Sequence, residues 1–241
     1  MASKVVEMKN VNFDYEKKRI LKDINFEISC GEYVGVVGEN GSGKSTLLNL
    51  MLGNLKATKG QVELYENRIG YLSQEVRNFN KKFPATVNEI IAANLYSEMG
   101  MFKVLKKKHK EKIKRALEIV SMEKYKNSLI GNLSGGQQQR VFLARLLINN
   151  PKVIFMDEPI VGLDDESIKM FYELMDELNK KLGITIVMVT HDIKTMEGKA
   201  DKMIYLNDAE MTIKNIKKEK LAMKNKDNKS GCFTKTINNM V

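Results

Sequence analysis

Apolar and polar residues alternate in two stretches near the start of the chain: Val11 and Phe13, then Ile24, Phe26 and Ile28. A period of two buries one face of a strand and wets the other, so Val5 to Ile28 predicts half-buried antiparallel strands. Elsewhere the pattern changes to short apolar runs. Tyr33 to Val37, Val153 to Met156 and Ile184 to Val189 read as strands covered on both faces. Gln61 to Ser73 reads as strand, turn and strand. Helical spacing appears at Lys44 to Leu52, with Leu47, Leu48, Met51 and Leu52 on one face, and at Glu111 to Val120, with Ile113, Leu117 and Val120. Glu89 to Tyr96, Ser134 to Asn149 and Ser167 to Leu182 complete the predicted helices. Helices dominate from Glu75 to Asn150, and core strands resume at Val153. The pattern therefore predicts an α/β core carrying a helical subdomain. Beyond about Lys214 the chain is polar and lysine-rich, which predicts a flexible tail.

At 241 residues and 43% hydrophobic, the chain suffices for one large domain or a core with a subdomain. No apolar run approaches the roughly 20 residues that cross a bilayer, and Met1 to Asn10 lacks a signal-peptide stretch. A cytosolic protein that borrows any membrane function from a partner is expected. Cys30 and Cys232 lie far apart without metal-ligand spacing, which favours reduced thiols. The net charge of +10 is local. Lys103 to Arg115 holds eight basic residues and one acid, and Lys214 to Val241 holds eight lysines and two acids. A solvated helix face and a loose tail explain these better than nucleic-acid or membrane binding.

Candidate chemistry begins at Gly38-Glu39-Asn40-Gly41-Ser42-Gly43-Lys44-Ser45-Thr46. This matches the phosphate-binding loop G-x-x-x-x-G-K-[ST] between a strand and a helix, the context the motif requires. Glycines let backbone N–H groups point at phosphate oxygens, and the helix that follows aims its positive end there. Lys44 would neutralise the β- and γ-phosphates, and Ser45 would offer a hydroxyl to Mg²⁺. The apolar run Val153 to Met156 delivers Asp157 to a strand end, as a Mg²⁺ ligand, with Glu158 next to polarise a water. Gln74 closes another strand, where a neutral amide can touch Mg²⁺ or the attacking water. His191 follows Ile184 to Val189 and could bond the γ-phosphate. Leu133-Ser134-Gly135-Gly136-Gln137 opens a helix that Ser134 caps, a second anion-binding helix start. One domain has trouble folding both glycine strings onto one phosphate. Two copies head to tail solve the geometry. Asp164, in Gly162-Leu163-Asp164, could reach the partner copy, and Tyr15 offers an aromatic face for adenine.

In this order, Tyr15, the phosphate loop, Gln74, the Ser134 string, Asp157-Glu158, Asp164 and His191 resemble the motif set of an ATP-binding cassette (ABC) ATPase. The resemblance covers roughly Val5 to Leu206. It implies a P-loop NTPase (RecA-like) α/β core with an antiparallel β subdomain and an inserted α-helical subdomain. It assigns 1–213 to the ATPase domain, with core 1–74 and 151–213 and helical subdomain 75–150, and leaves 214–241 as the tail. It also implies ATP and Mg²⁺, a homodimer sandwiching ATP, and hydrolysis coupled to integral-membrane permease subunits at the cytoplasmic face of the membrane. A finer resemblance, carried by Ile69 to Gln74, Phe79 to Val87 and Gly131 to Arg145, is to the ATPases of bacterial zinc and manganese importers. It implies metal import, zinc ahead of manganese, with cargo chosen by the permease and an extracellular binding protein. Iron-chelate or export cargo is the first alternative. A nucleic-acid or ribosome ATPase is the second, opposed by the short Gln74-to-Ser134 spacing and the single cassette. With His109, His191 and two separated cysteines, no cargo-metal site is expected in this chain.

Overall fold

A computed structural model describes residues 3–16, 18–74, 84–96, 98–99 and 104–217. Phe83 with the rest of 75–83, Lys103, Cys232 and the tail beyond 217 lie outside the described residues. The chain runs β1 (Lys4–Tyr15), β2 (Lys18–Ser29), β3 (Tyr33–Gly38), α1 (Lys44–Met51), β4 (Lys59–Leu64), β5 (Ile69–Leu72), α2 (Val87–Ala92) and α3 (Lys107–Ile119). It continues through α4 (Gly135–Leu147), β6 (Val153–Asp157), α5 (Asp165–Lys180), β7 (Thr185–Val189), α6 (Ile193–Lys199), β8 (Lys202–Asn207) and β9 (Glu210–Lys214).

The strands form two sheets. The alternating strands β1 and β2 pair antiparallel and join β4 in the order β2-β1-β4. The apolar runs build the second sheet, ordered β5-β6-β7-β3-β8-β9, parallel except at β9. The strand–turn–strand pattern at Gln61 to Ser73 is therefore not a hairpin, because β4 and β5 belong to different sheets.

The six-stranded sheet is covered on both faces, which is why its inner strands lack a polar side. Ile154 and Met156 of β6 join a core with the inner faces of α2 to α5. Val153 and Phe155, one residue out of phase, join a second core with α1, β1 and β2. Helices α2, α3 and α4 pack on one another, and α4 also packs on β5 and α5. The insertion is thus anchored at the β5 edge of the sheet.

Four elements depart from expectation, and three of the departures have local causes. Helix α3 starts at Lys107, four residues before the expected Glu111. Its first turn is lysine apart from His109, and that histidine is buried at 1% exposure with Nδ1 accepting the Lys106 N–H at 3.2 Å. Helix α6 and strands β8 and β9 were not signalled. Among the α6 residues only Met196 is buried, too few for a period. Strand β8 opens with a charge, Lys202, which is buried because its ammonium donates to the Glu27 carbonyl at 2.6 Å and to Glu32 at 2.9 Å.

Candidate functional site

Strand register sets the site. Leu72, Met156, Met188 and Gly35 stand side by side on β5, β6, β7 and β3. Two residues further along each strand come Gln74, Glu158, Thr190 and Val37. His191 and the first glycine of the loop, Gly38, follow at the next level. The carboxyl ends of four parallel strands thus deliver Gln74, Asp157, Glu158, His191 and the glycine loop to one edge. That edge is where open α/β sheets take their ligands.

The glycine loop is shaped by contacts that only glycine permits. A Cβ on Gly38 would meet the Leu206 carbonyl oxygen at 2.3 Å, since Gly38 pairs with Leu206 across β8. Gly43 caps α1 at φ 95°, a left-handed conformation costly for other residues, with Ile20 2.9 Å from where its Cβ would stand. Lys44 is buried, and its ammonium donates to the Gly38 and Glu39 carbonyls at 3.0 and 2.7 Å. The loop backbone thereby fixes a positive charge at its own centre. Ser45 is exposed at the first turn of α1, Thr46 half-buried, and Glu39, Asn40 and Gly41 form the exposed rim.

A cleft of about 470 Å³ opens beside this rim, between Glu39–Ser42, the start of β2 and the β8–β9 turn. Lys18, Arg19 and Lys22 line it. Sequence reading missed all three, because nothing local links β2 to the glycine loop. Tyr15 is not part of that lining but pairs with Lys18 across the β1–β2 ladder. It is half exposed, its ring edge-on to Phe13 with centroids 4.8 Å apart.

Asp157 ends β6 at 6% exposure, and Glu158 stands beyond it with a positive φ of 47°. The Glu158 N–H donates to the Val189 carbonyl at 2.9 Å, which ties this turn to the strand that carries His191. Gln74 and His191 are exposed. Ser45, Gln74 and Asp157 supply only oxygen donors, the set a hard cation such as Mg²⁺ takes.

The Ser134 string forms a reciprocal cap. Ser134 Oγ accepts the Gln137 N–H at 3.3 Å, and the Gln137 amide oxygen accepts the Ser134 N–H at 3.0 Å. The Gln137 amide nitrogen donates to the Tyr125 hydroxyl at 3.0 Å, so this side chain shapes the helix start. Gly136 lies against α5: a Cβ there would meet Ser167 Oγ at 2.4 Å. Asp164 caps α5, accepting from the Ser167 N–H at 2.9 Å and the Ser167 hydroxyl at 2.8 Å. Those two bonds, the backbone one first, hold its carboxyl below the usual range. The sequence reading of Asp164 had not included this capping duty. The structure does not bring the Ser134 string to the glycine loop of the same chain. Gly135 stands against Leu163 and Gly136 against Ser167, at the start of α5, while α4 meets β5 at its other end, where Leu146 packs on Gly70.

A family model described as ABC transporter matches residues 21–161. The zinc uptake system ATP-binding protein ZurA of Listeria monocytogenes is 43% identical over 213 residues, covering 85% of this chain and 83% of the relative. The manganese transport system ATP-binding protein MntB of Bacillus subtilis is 38% identical over 209 residues, covering 84% and 83%. Among solved structures, the dimeric post-hydrolysis state of the ATP-binding cassette MJ0796, bound to ADP and Pi, superposes with a TM-score of 0.73 at 30% identity, covering 88% of this chain and 98% of that one. The match, the identities and the superposed fold agree with the site geometry, and the chain belongs to the ABC transporter ATP-binding family.

Proposed function

We propose that two copies of this chain, placed head to tail, hydrolyse ATP and drive import of a divalent metal ion, zinc ahead of manganese, through membrane permease subunits. The observation that carries the reading is that Gln74, Glu158 and Thr190 come to one level, with His191 one residue on, beside the glycine loop. Tyr15 faces adenine, and Gly38 to Thr46 hold the phosphates, with Lys44 on the β- and γ-oxygens. Ser45, Gln74 and Asp157 hold Mg²⁺, which neutralises phosphate charge when bound. Glu158 polarises the attacking water and His191 contacts the γ-phosphate. Ser134, Gly135, Gly136 and Gln137 present the capped start of α4 to the partner's nucleotide, and Asp164 meets the same interface.

The cargo rests on likeness: ZurA and MntB are named for zinc and manganese. No helix among the described residues is long and apolar enough to cross a membrane, so passage belongs to the permease, with this chain at its cytoplasmic face. An extracellular binding protein selects the metal.

Glu158→Gln should lose at least about 100-fold in turnover while still binding ATP, and should trap an ATP-dependent dimer on size-exclusion chromatography. Hydrolysis at the parent rate would remove the mechanism. Cargo is read by deleting the gene and growing cells in chelator with single metals returned. Rescue by zinc is expected. Rescue by manganese alone would correct the cargo, and rescue by neither would remove it.

A further inference from the structure

His191 is exposed, and among the described residues no side-chain hydrogen bond holds its ring. Its backbone is what fixes it. The His191 carbonyl accepts the Ile193 N–H at 3.0 Å, and Asp192 between them has φ −81° and ψ 75°. That is an inverse γ-turn. Asp192 is tied to its surroundings through its backbone and both carboxylate oxygens. Its N–H donates to Thr190 Oγ1 at 3.1 Å, and its Oδ1 accepts the Thr195 N–H at 3.1 Å, capping α6. Its Oδ2 faces the hydroxyl of Tyr172 on α5, which donates to it at 3.4 Å. Thr190, which accepts the Asp192 N–H, is fully buried.

Tyr172 has little freedom to do otherwise. It is 2% exposed, and α5 and α6 are clamped again one turn on, where Lys199 reaches Asp176 at 2.6 Å. Burial first, and the Asp192 carboxylate second, push the phenol well above the ordinary tyrosine range. It therefore stays protonated, and so a donor, at any physiological pH.

We propose that Tyr172 is a positioning residue for His191: its buried hydroxyl holds Asp192 in the γ-turn that aims the imidazole. The inference rests on His191 as the γ-phosphate contact. Without the hydroxyl, Asp192 Oδ2 loses its protein donor and can turn to water, and the carboxylate is then held through Oδ1 alone. Displacement of a catalytic group by about 1 Å is enough to cost up to 100-fold in rate.

The test is steady-state ATP hydrolysis by the full chain, with thermal unfolding measured alongside. Tyr172→Phe keeps the ring and removes only the hydroxyl. We expect kcat to fall about fivefold or more, KM for ATP to stay within about twofold, and Tm to be unchanged. In a His191→Ala background, read by single turnover, Tyr172→Phe should cause no further loss, because both changes remove one function. A wild-type kcat for Tyr172→Phe beside an impaired His191→Ala overturns the positioning role alone. So does a kcat loss matched by a fall in Tm, or the same fold loss in both backgrounds. If His191→Ala turns over like the wild type, the γ-phosphate reading fails and the positioning role with it.

Discussion

Glu158 occupies a left-handed φ of 47° that a side chain adopts only at a cost of about 1–3 kcal/mol. Its N–H bond to the Val189 carbonyl holds it there. The positive φ turns the chain at the end of β6, immediately after Asp157. Asp164 is the contrasting case, a functional candidate whose visible work is structural. Its carboxylate caps α5 through the Ser167 N–H and hydroxyl. Asp164→Ala should lower Tm at pH 7, with Asp164→Asn much closer to the parent because Asn caps nearly as well. The sign of the pH effect follows from its pKa, which is lowered in the folded state. A depressed acid contributes its full stabilisation above the ordinary Asp value and loses it as pH falls through the folded value. The Tm gap to Asp164→Ala should therefore be full at neutral pH and shrink below about pH 4. A gap that widened in acid would contradict the cap.

At the scale of elements, α5 joins surfaces that the sequence presents separately. Asp164 begins it, Ser167 meets the Ser134 string at Gly136, and Tyr172 meets the His191 loop. From Asp164 to Tyr172 is eight residues, roughly 12 Å of rigid helix. Gly136 sets the distance between α4 and α5, because an added Cβ would stand 2.4 Å from Ser167 Oγ and 2.8 Å from its Cβ. The hydroxyl can rotate away, but the Cβ cannot. Gly136→Ala gains up to about 1 kcal/mol of helix propensity and incurs about 1–3 kcal/mol of overpacking. The second effect wins, so urea unfolding should show a net loss, and Ser167→Gly in the same chain should recover part of it. Elements of this kind divide what the sequence discloses from what it hides. The inner strands were legible because burial on both faces leaves an unbroken apolar run, and the glycine loop because its spacing is dictated by phosphate geometry. Strand β8 was hidden because a charge, Lys202, opens it, and that charge is tolerated only through partners on β2 and beside β3. The basic lining of the cleft was hidden for the same reason, being made by contact between distant segments.

At the scale of the whole molecule, each chain carries two glycine-rich helix starts in different parts of its fold. The glycine loop follows β3, and the Ser134 string stands against the start of α5 at Leu163 and Ser167. If both serve one γ-phosphate, they must come from different copies, and a two-fold pair then has two shared sites. Mixing inactive variants distinguishes this from action within one chain. Lys44→Ala damages the glycine loop of its own copy, and Ser134→Arg damages the string offered to the partner. In a mixed dimer both defects fall in the same shared site, leaving the other site intact. With random pairing, half the dimers are mixed and each has one sound site of two. Equal amounts of the two variants should therefore recover up to about a quarter of the parent hydrolysis, if the sites fire independently. Either variant alone should show almost none. Were the two strings to act within one chain, every chain in the mixture would carry a defect and no activity would return. Recovery should rise with protein concentration, because the active species forms only by association.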